Sequence, residues 1–334
     1  MQRDIPIGLG AGLAAAILAL APLSGSGFGI LLSVLSALPI TLATLCWGYR
    51  AGLAAAVSAM AVLALVASGV AAQSPDSSPL RLALQFGVSR ALPAWGLAYL
   101  AVAGYGDSAI DRAPLSLGTL AVVAAVLGMA GTFFGILALG STPEQALANL
   151  RTELMQAYRI MMGGSKDQPI PAKDGVDPEA FLQVFSVILL PLAALFTTVS
   201  NLGGLWLSAR IALISGRLPR PWPDVAAELR LPTWSLGLLA IACAVSLLPG
   251  TVGFAGQLLL AALLGAFLIQ GFAAVHVLTR GGAMRPLILA VTYLLCVFLS
   301  WIAMPLMIVF GLVETFFNLR GRFGDRSNTP STPR

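Results

Sequence analysis

Polar side chains set inside long apolar runs are where this chain could do chemistry: Arg90, Asn201, Gln257, Gln270, His276, Tyr293 and Glu314. Such groups cost free energy to place in hydrocarbon, so each is a candidate for binding or proton transfer. Arg90 is the most costly. Its guanidinium could hold an anionic group of a substrate or pair with a carboxylate on a neighbouring helix. It could also lie at the wet end of a tilted helix with its stem snorkelling. His276 is the single histidine. It titrates in the range a proton carrier needs, and an interhelical hydrogen bond near the Thr279-Arg280 boundary serves it equally well. Without partners it makes no zinc site. Glu314 and Arg320 stand off any common face of a regular helix, so an ion pair between them requires the chain to bend or a third group to join. The substrate or polar-cluster candidates are therefore Arg90, His276, Glu314 and Arg320.

Other chemistries find no support in the residues. No GxxxxGK[ST] loop is present, so the chain holds no ATPase of its own. Ser26 sits in Ser-Gly-Ser-Gly, a turn pattern with no base nearby, which argues against a serine hydrolase. Cys46, Cys243 and Cys296 stand alone in apolar runs and read as small hydrophobes. The expectation is a protein that is not an enzyme, with no metal and no cofactor. The formal charge of +5 is scattered through short loops, with no stripe that could track phosphates, so no nucleic-acid partner is expected.

The elements that must position these residues are membrane helices. The 334 residues are 58% hydrophobic and 10% charged, with a mean hydropathy of +0.89. A soluble protein carries about 25% charge, so a soluble fold is excluded. The apolar residues come in unbroken runs without period-2 alternation, which excludes a barrel. The fold class is all-α: a polytopic transmembrane helical bundle of eight or nine spans with one amphipathic surface helix. Candidate spans cover 7–23, 28–47, 51–72, 82–104, 115–139, 180–208, 234–249, 255–278 and 287–313. The first reads as an uncleaved helix, since its basic flank is weak and further apolar runs follow. The segment 82–104 holds Arg90 and Pro93 and is read as a crossing, with a broken or re-entrant helix as the alternative. Basic residues divide evenly between the two sides, so charge does not orient the chain.

The organisation follows: a membrane half over 1–139, an extramembrane insert over 140–179, a second membrane half over 180–320 and a polar, disordered tail over 321–334. The insert opens on Thr142-Pro143-Glu144-Gln145, an N-cap, a proline at N1 and the glutamine of a capping box. Leu147, Leu150, Leu154, Tyr158 and Met161 then make one apolar stripe. This predicts a helix over 142–162 on the membrane surface, or one packed on its own bundle. Two small-residue patterns mark close helix packing or a partner face: Ala11, Ala15 and Ala19 on the first helix, beside Gly8 and Gly12, and the GxxxG of Gly131 and Gly135 in the fifth.

Two stretches resemble known families. Residues 271–282 (GFAAVHVLTRGG), a long apolar run and 311–323 (GLVETFFNLRGRF) resemble the bacterial membrane family known as YybS-like or DUF2232. That family shows a Gly…His…Arg stretch and a closing Gly-Leu-x-Asp-x-x-x-Asp-x-Arg. Glu314 and Asn318 stand where it more often has aspartate. The first half, with its Ala/Gly-rich helix and Tyr49-Arg50-Ala51-Gly52 turn, resembles the S component of energy-coupling-factor vitamin transporters. That likeness implies substrate binding and a membrane coupling subunit with separate ATPases, met through Ala11, Ala15 and Ala19. Together they imply a multi-pass protein of the bacterial inner (cytoplasmic) membrane, substrate-binding or transport-related. The alternative is a non-transporting assembly or scaffold protein acting through protein partners. A cavity discriminates them: a binder needs a pocket with polar lining among the first five helices, and a scaffold can be packed solid.

Overall fold

The computed structural model describes residues 4–71, 79–103, 115–137, 140, 142–161, 178–219 and 222–323. The linker after 161 and the tail after 323 lie outside the described residues. Every element among the described residues is helical. The first half comprises α1 (Asp4–Leu20), α2 (Gly27–Val34), α3 (Leu38–Trp47), α4 (Tyr49–Ala71), α5 (Pro79–Phe86), α6 (Leu92–Val102) and α7 (Leu117–Leu137). The insert forms α8 (Pro143–Met161). The second half comprises α9 (Pro178–Ile214), α10 (Val225–Glu228), α11 (Trp234–Ser246), α12 (Gly250–Leu278), α13 (Arg285–Phe298), α14 (Ser300–Phe317) and α15 (Leu319–Phe323).

Seven helical segments among the described residues are long and apolar enough to cross a membrane: Asp4–Ser24, Gly27–Trp47, Tyr49–Gly69, Leu117–Leu137, Ala180–Ile214, Gly250–Leu278 and Ser300–Phe317. Large apolar side chains face outward along them, Ile17, Phe196 and Leu306 among them, as in a protein whose solvent is lipid. The protein is a multi-pass, all-helical membrane protein. Three expected spans differ. The run over 82–104 is not among the seven, and its helix carries a π turn at Gly87–Ala91. The run over 287–313 breaks at Leu299 into α13 and α14, and that over 234–249 shortens to α11, about 20 Å against a hydrocarbon core of about 30 Å.

The central helix is α12, whose Leu258, Ala262, Leu263, Ala266 and Phe267 are fully enclosed. One apolar cluster joins it to Leu97, Leu120 and Ala121 of the first half and to Ala194 and Leu205 of α9. The two halves thus share a core. Gly271 of α12 and Gly311 of α14 let those helices touch backbone to backbone: a Cβ on either would lie 2.0 Å from a carbonyl oxygen of the other helix.

α8 is part of the bundle. Ala146 is fully buried, and Leu147 and Leu150 pack against the core. The N-cap is formed as the residues dictate, with the Gln145 N–H donating to Thr142 Oγ1 at 3.2 Å. Arg151 Nε donates to Ser186 Oγ on α9 at 2.9 Å.

The small-residue ladder of α1 faces inward onto α4. Gly8, Gly12 and Ala15 are buried, and Ala11 and Ala19 pack against the same apolar cluster. Of the α7 pair only Gly131 makes a close approach: a Cβ there would lie 2.9 Å from the Ser89 backbone, whereas at Gly135 nothing comes nearer than 3.8 Å. Gly131→Ala should therefore force α7 away from its neighbour and cost about 1–3 kcal/mol by overpacking. Gly135→Ala should stay within about 0.5 kcal/mol. Thermal unfolding of the two variants in detergent checks this, and equal stability would contradict the packing described.

Candidate functional site

Two prolines shape the surroundings of Arg90. Pro93 has no N–H, so the carbonyl four residues before it loses its helical donor. Between α5 and α6 the chain answers with a π turn over Gly87–Ala91, where the Leu92 N–H donates to the Gly87 carbonyl. The chain stays helical from 79 to 102, with the π turn as its one distortion. Pro39 acts likewise between α2 and α3: Leu35–Ala37 tighten into a 3-10 turn, and the Leu38 N–H donates to the Leu35 carbonyl. Gly131 of α7 gives the π turn room.

These two irregular turns and α9 enclose a cavity of about 250 Å³, lined by Arg90, Leu35, Phe196, Ser200 and Asn201 among others. No hydrogen-bond or ion-pair partner reaches the half-buried Arg90 guanidinium among the described residues. Asn201 is buried, and its Nδ2 also has no partner. The cavity lies at the seam between the halves and not inside the first alone, because α9 supplies Asn201. Both residues line an apolar space with no carboxylate among its lining residues, an arrangement complementary to a small anion.

A second polar centre forms at the end of α14. Asn318 adopts a left-handed conformation at φ 48° and closes the helix, with its N–H on the Glu314 carbonyl at 2.9 Å. That bend brings Glu314 and Arg320 together. Arg320 Nε donates to Glu314 Oε1 at 2.7 Å and its backbone N–H to Oε2 at 3.2 Å. The other two arms hold α10: Nη1 donates to the Ala226 carbonyl at 2.6 Å and Nη2 to that of Leu229 at 2.8 Å. Burial works to lower the Arg320 guanidinium, and the Glu314 carboxylate opposes it. Arg230 Nη1 donates to Asn318 Oδ1 at 3.0 Å. Gln270 completes the joint, accepting from the Leu231 N–H and donating to the Gly311 carbonyl and Thr315 Oγ1.

His276 does not belong to this pair. Its Nε2 lies 2.8 Å from the Tyr293 hydroxyl on α13, and its ring lines a different cavity, of about 640 Å³, bounded by α7, α9, α10 and α12. At that cavity's rim Asp224 caps α10, accepting from the Ala226 and Ala227 N–H groups, and pairs with Arg280 at 2.6 Å. Partial burial would raise the Asp224 carboxyl, but Arg280 and the two N–H groups outweigh it and hold it below the usual carboxylate range. Arg210, Asp224 and Trp222 escape a search for polar residues inside apolar runs because they stand outside those runs. The Asp224 cap followed by Val-Ala-Ala-Glu was the available signal. Among the described residues no three metal-ligating side chains converge.

No family model matches the chain, and neither a curated protein nor a solved structure does.

The Arg320 joint yields a stability test. Arg320→Leu leaves the Glu314 carboxylate with only the backbone N–H of residue 320 and takes the guanidinium away from two carbonyls, and should cost about 3–5 kcal/mol. Glu314→Gln keeps a hydrogen-bonding group beside Nε and should fall between that variant and the wild type. Melting temperatures in detergent should follow this order; three equal values would mean that the pair is not enclosed.

Proposed function

We propose that this protein is a substrate-binding, transport-related component of the bacterial inner membrane that binds a small anion at Arg90 and does not convert it. One observation carries the reading: the Arg90 guanidinium and the buried Asn201 Nδ2, neither of them partnered among the described residues, line the same cavity. A buried donor without a partner costs about 1–3 kcal/mol, more when charged. A buried amide and a half-buried guanidinium lining one cavity make sense when a bound acceptor supplies the missing bonds. A scaffold would gain nothing from this cavity, since leucine at position 90 would pack the seam at lower cost.

Membership of the YybS-like family belongs to the same proposal. Residues carrying that resemblance meet in space: Gly271 touches Gly311, Glu314 pairs with Arg320, and Asn318 and Arg280 bind the segment around α10. A coupling subunit with its own ATPases remains part of the reading. It would have to engage the outward face of α1, where Ile5, Leu9, Leu13 and Ile17 are exposed, because α4 occupies the Ala15 face.

The test uses purified protein in detergent, titrated with sodium acetate, butyrate, benzoate and inorganic phosphate. At least one anion should raise the melting temperature of the wild type, by about 2.7 kcal/mol of stabilisation at a hundredfold excess over its Kd. Arg90→Leu should abolish that rise and yet unfold no earlier than the anion-free wild type, since it removes an unpaired charge. An unchanged anion response in Arg90→Leu, or a wild type indifferent to all four, would overturn the proposal.

A further inference from the structure

The geometry points to a second binding site, for an anionic phospholipid, in the cavity beneath α10, with one hydrocarbon chain on its leucine floor and the phosphate against Arg210. This inference does not depend on Arg90. The cavity holds about 640 Å³, within the range of small-molecule sites. Its floor is apolar and enclosed: Leu120 is 1% exposed, and Leu205 and Leu229 are each 4% exposed. Charge sits at the rim, on the exposed side chains of Arg210 and Asp224.

The two rim charges are not equivalent. Asp224 is committed to Arg280 at 2.6 Å and to the first N–H groups of α10. Arg210 has no hydrogen-bond or ion-pair partner among the described residues. The charge left to be met is therefore positive. Trp206 and Trp222 also line the cavity, and tryptophan is the residue most at home between hydrocarbon and headgroups. A buried apolar floor, an aromatic wall and, among the described residues, an unpaired Arg210 at the rim match an amphiphile whose charge and chain are joined. A soluble anion would leave the floor empty, and a neutral amphiphile would leave Arg210 unmet. Basic pockets between membrane helices hold lipid headgroups in this way. The wall formed by α10 is fixed by Arg320, which holds the carbonyls of Ala226 and Leu229, so the site is built into the fold.

The experiment is native mass spectrometry of the full chain in mild detergent, titrated with dioleoylphosphatidylglycerol or dioleoylphosphatidylcholine, with and without inorganic phosphate. The wild type should retain one phosphatidylglycerol about fivefold better than phosphatidylcholine, the worth of one basic residue against an anionic lipid. Arg210→Gln, a change at an exposed side chain, should erase that preference; Arg90→Leu should keep it. Millimolar phosphate should not displace the lipid. The chain's position is read separately from tryptophan emission: phosphatidylglycerol brominated on its acyl chain should quench the wild type more than Trp222→Phe. Equal retention of the two lipids by the wild type, an undiminished preference in Arg210→Gln, displacement by phosphate, or identical quenching in Trp222→Phe would each overturn the assignment.

Discussion

The enclosed guanidinium of Arg320 ties together parts of the chain that lie far apart in sequence. Its side chain is 0% exposed and that of Glu314 2%, so both charges have left water and each is tolerable only because of the other. The arms that remain after Glu314 is satisfied are spent on carbonyls of α10, a helix of a single turn that could not persist alone. The end of α14, the roof of the larger cavity and, through Leu231 and Gln270, the middle of α12 thereby become one unit. Gly271 and Gly311 bring α12 and α14 close enough for the Gln270 amide to reach both the Gly311 carbonyl and Thr315.

The Arg90 cavity has a different origin. Where Arg320 represents polar groups fully satisfied, the seam between the halves leaves Arg90 and the Asn201 Nδ2 without partners among the described residues. Helix backbones in hydrocarbon must satisfy themselves, and Pro39 and Pro93 prevent that locally. The chain repairs each defect with a different hydrogen-bond step, three residues at one and five at the other. Neither repaired turn presents the smooth surface of an α-helix, so α9 cannot seat flush against both, and the gap between them becomes the cavity.

Composition and run length made the membrane class legible, along with most of the spans. Spacing also exposed the Glu314–Arg320 problem, since two residues off a common face can meet only across a bend, and Asn318 makes it. Hydropathy could not show the break at Leu299, because both flanks are apolar and the interruption lies in the backbone. Nor could spacing tell an inward from an outward ladder: Ala15 reads the same whether α4 or another protein covers it. The assembly of Arg90 with Asn201 depends on contact between elements more than a hundred residues apart, which no local pattern encodes. Arg210 and Asp224 looked like ordinary loop charges until the cavity between them was seen.

The π turn beneath Arg90 has one more consequence. Such a turn is an α-helix carrying one surplus residue, and each residue of an α-helix turns the chain by about 100°. Everything after Ala91, including Trp95 with its hydrogen bond to the Tyr49 carbonyl, therefore faces about a quarter-turn away from where an uninterrupted helix would aim it. The π turn thus sets, through the backbone alone, the direction in which the second part of this helix presents its side chains.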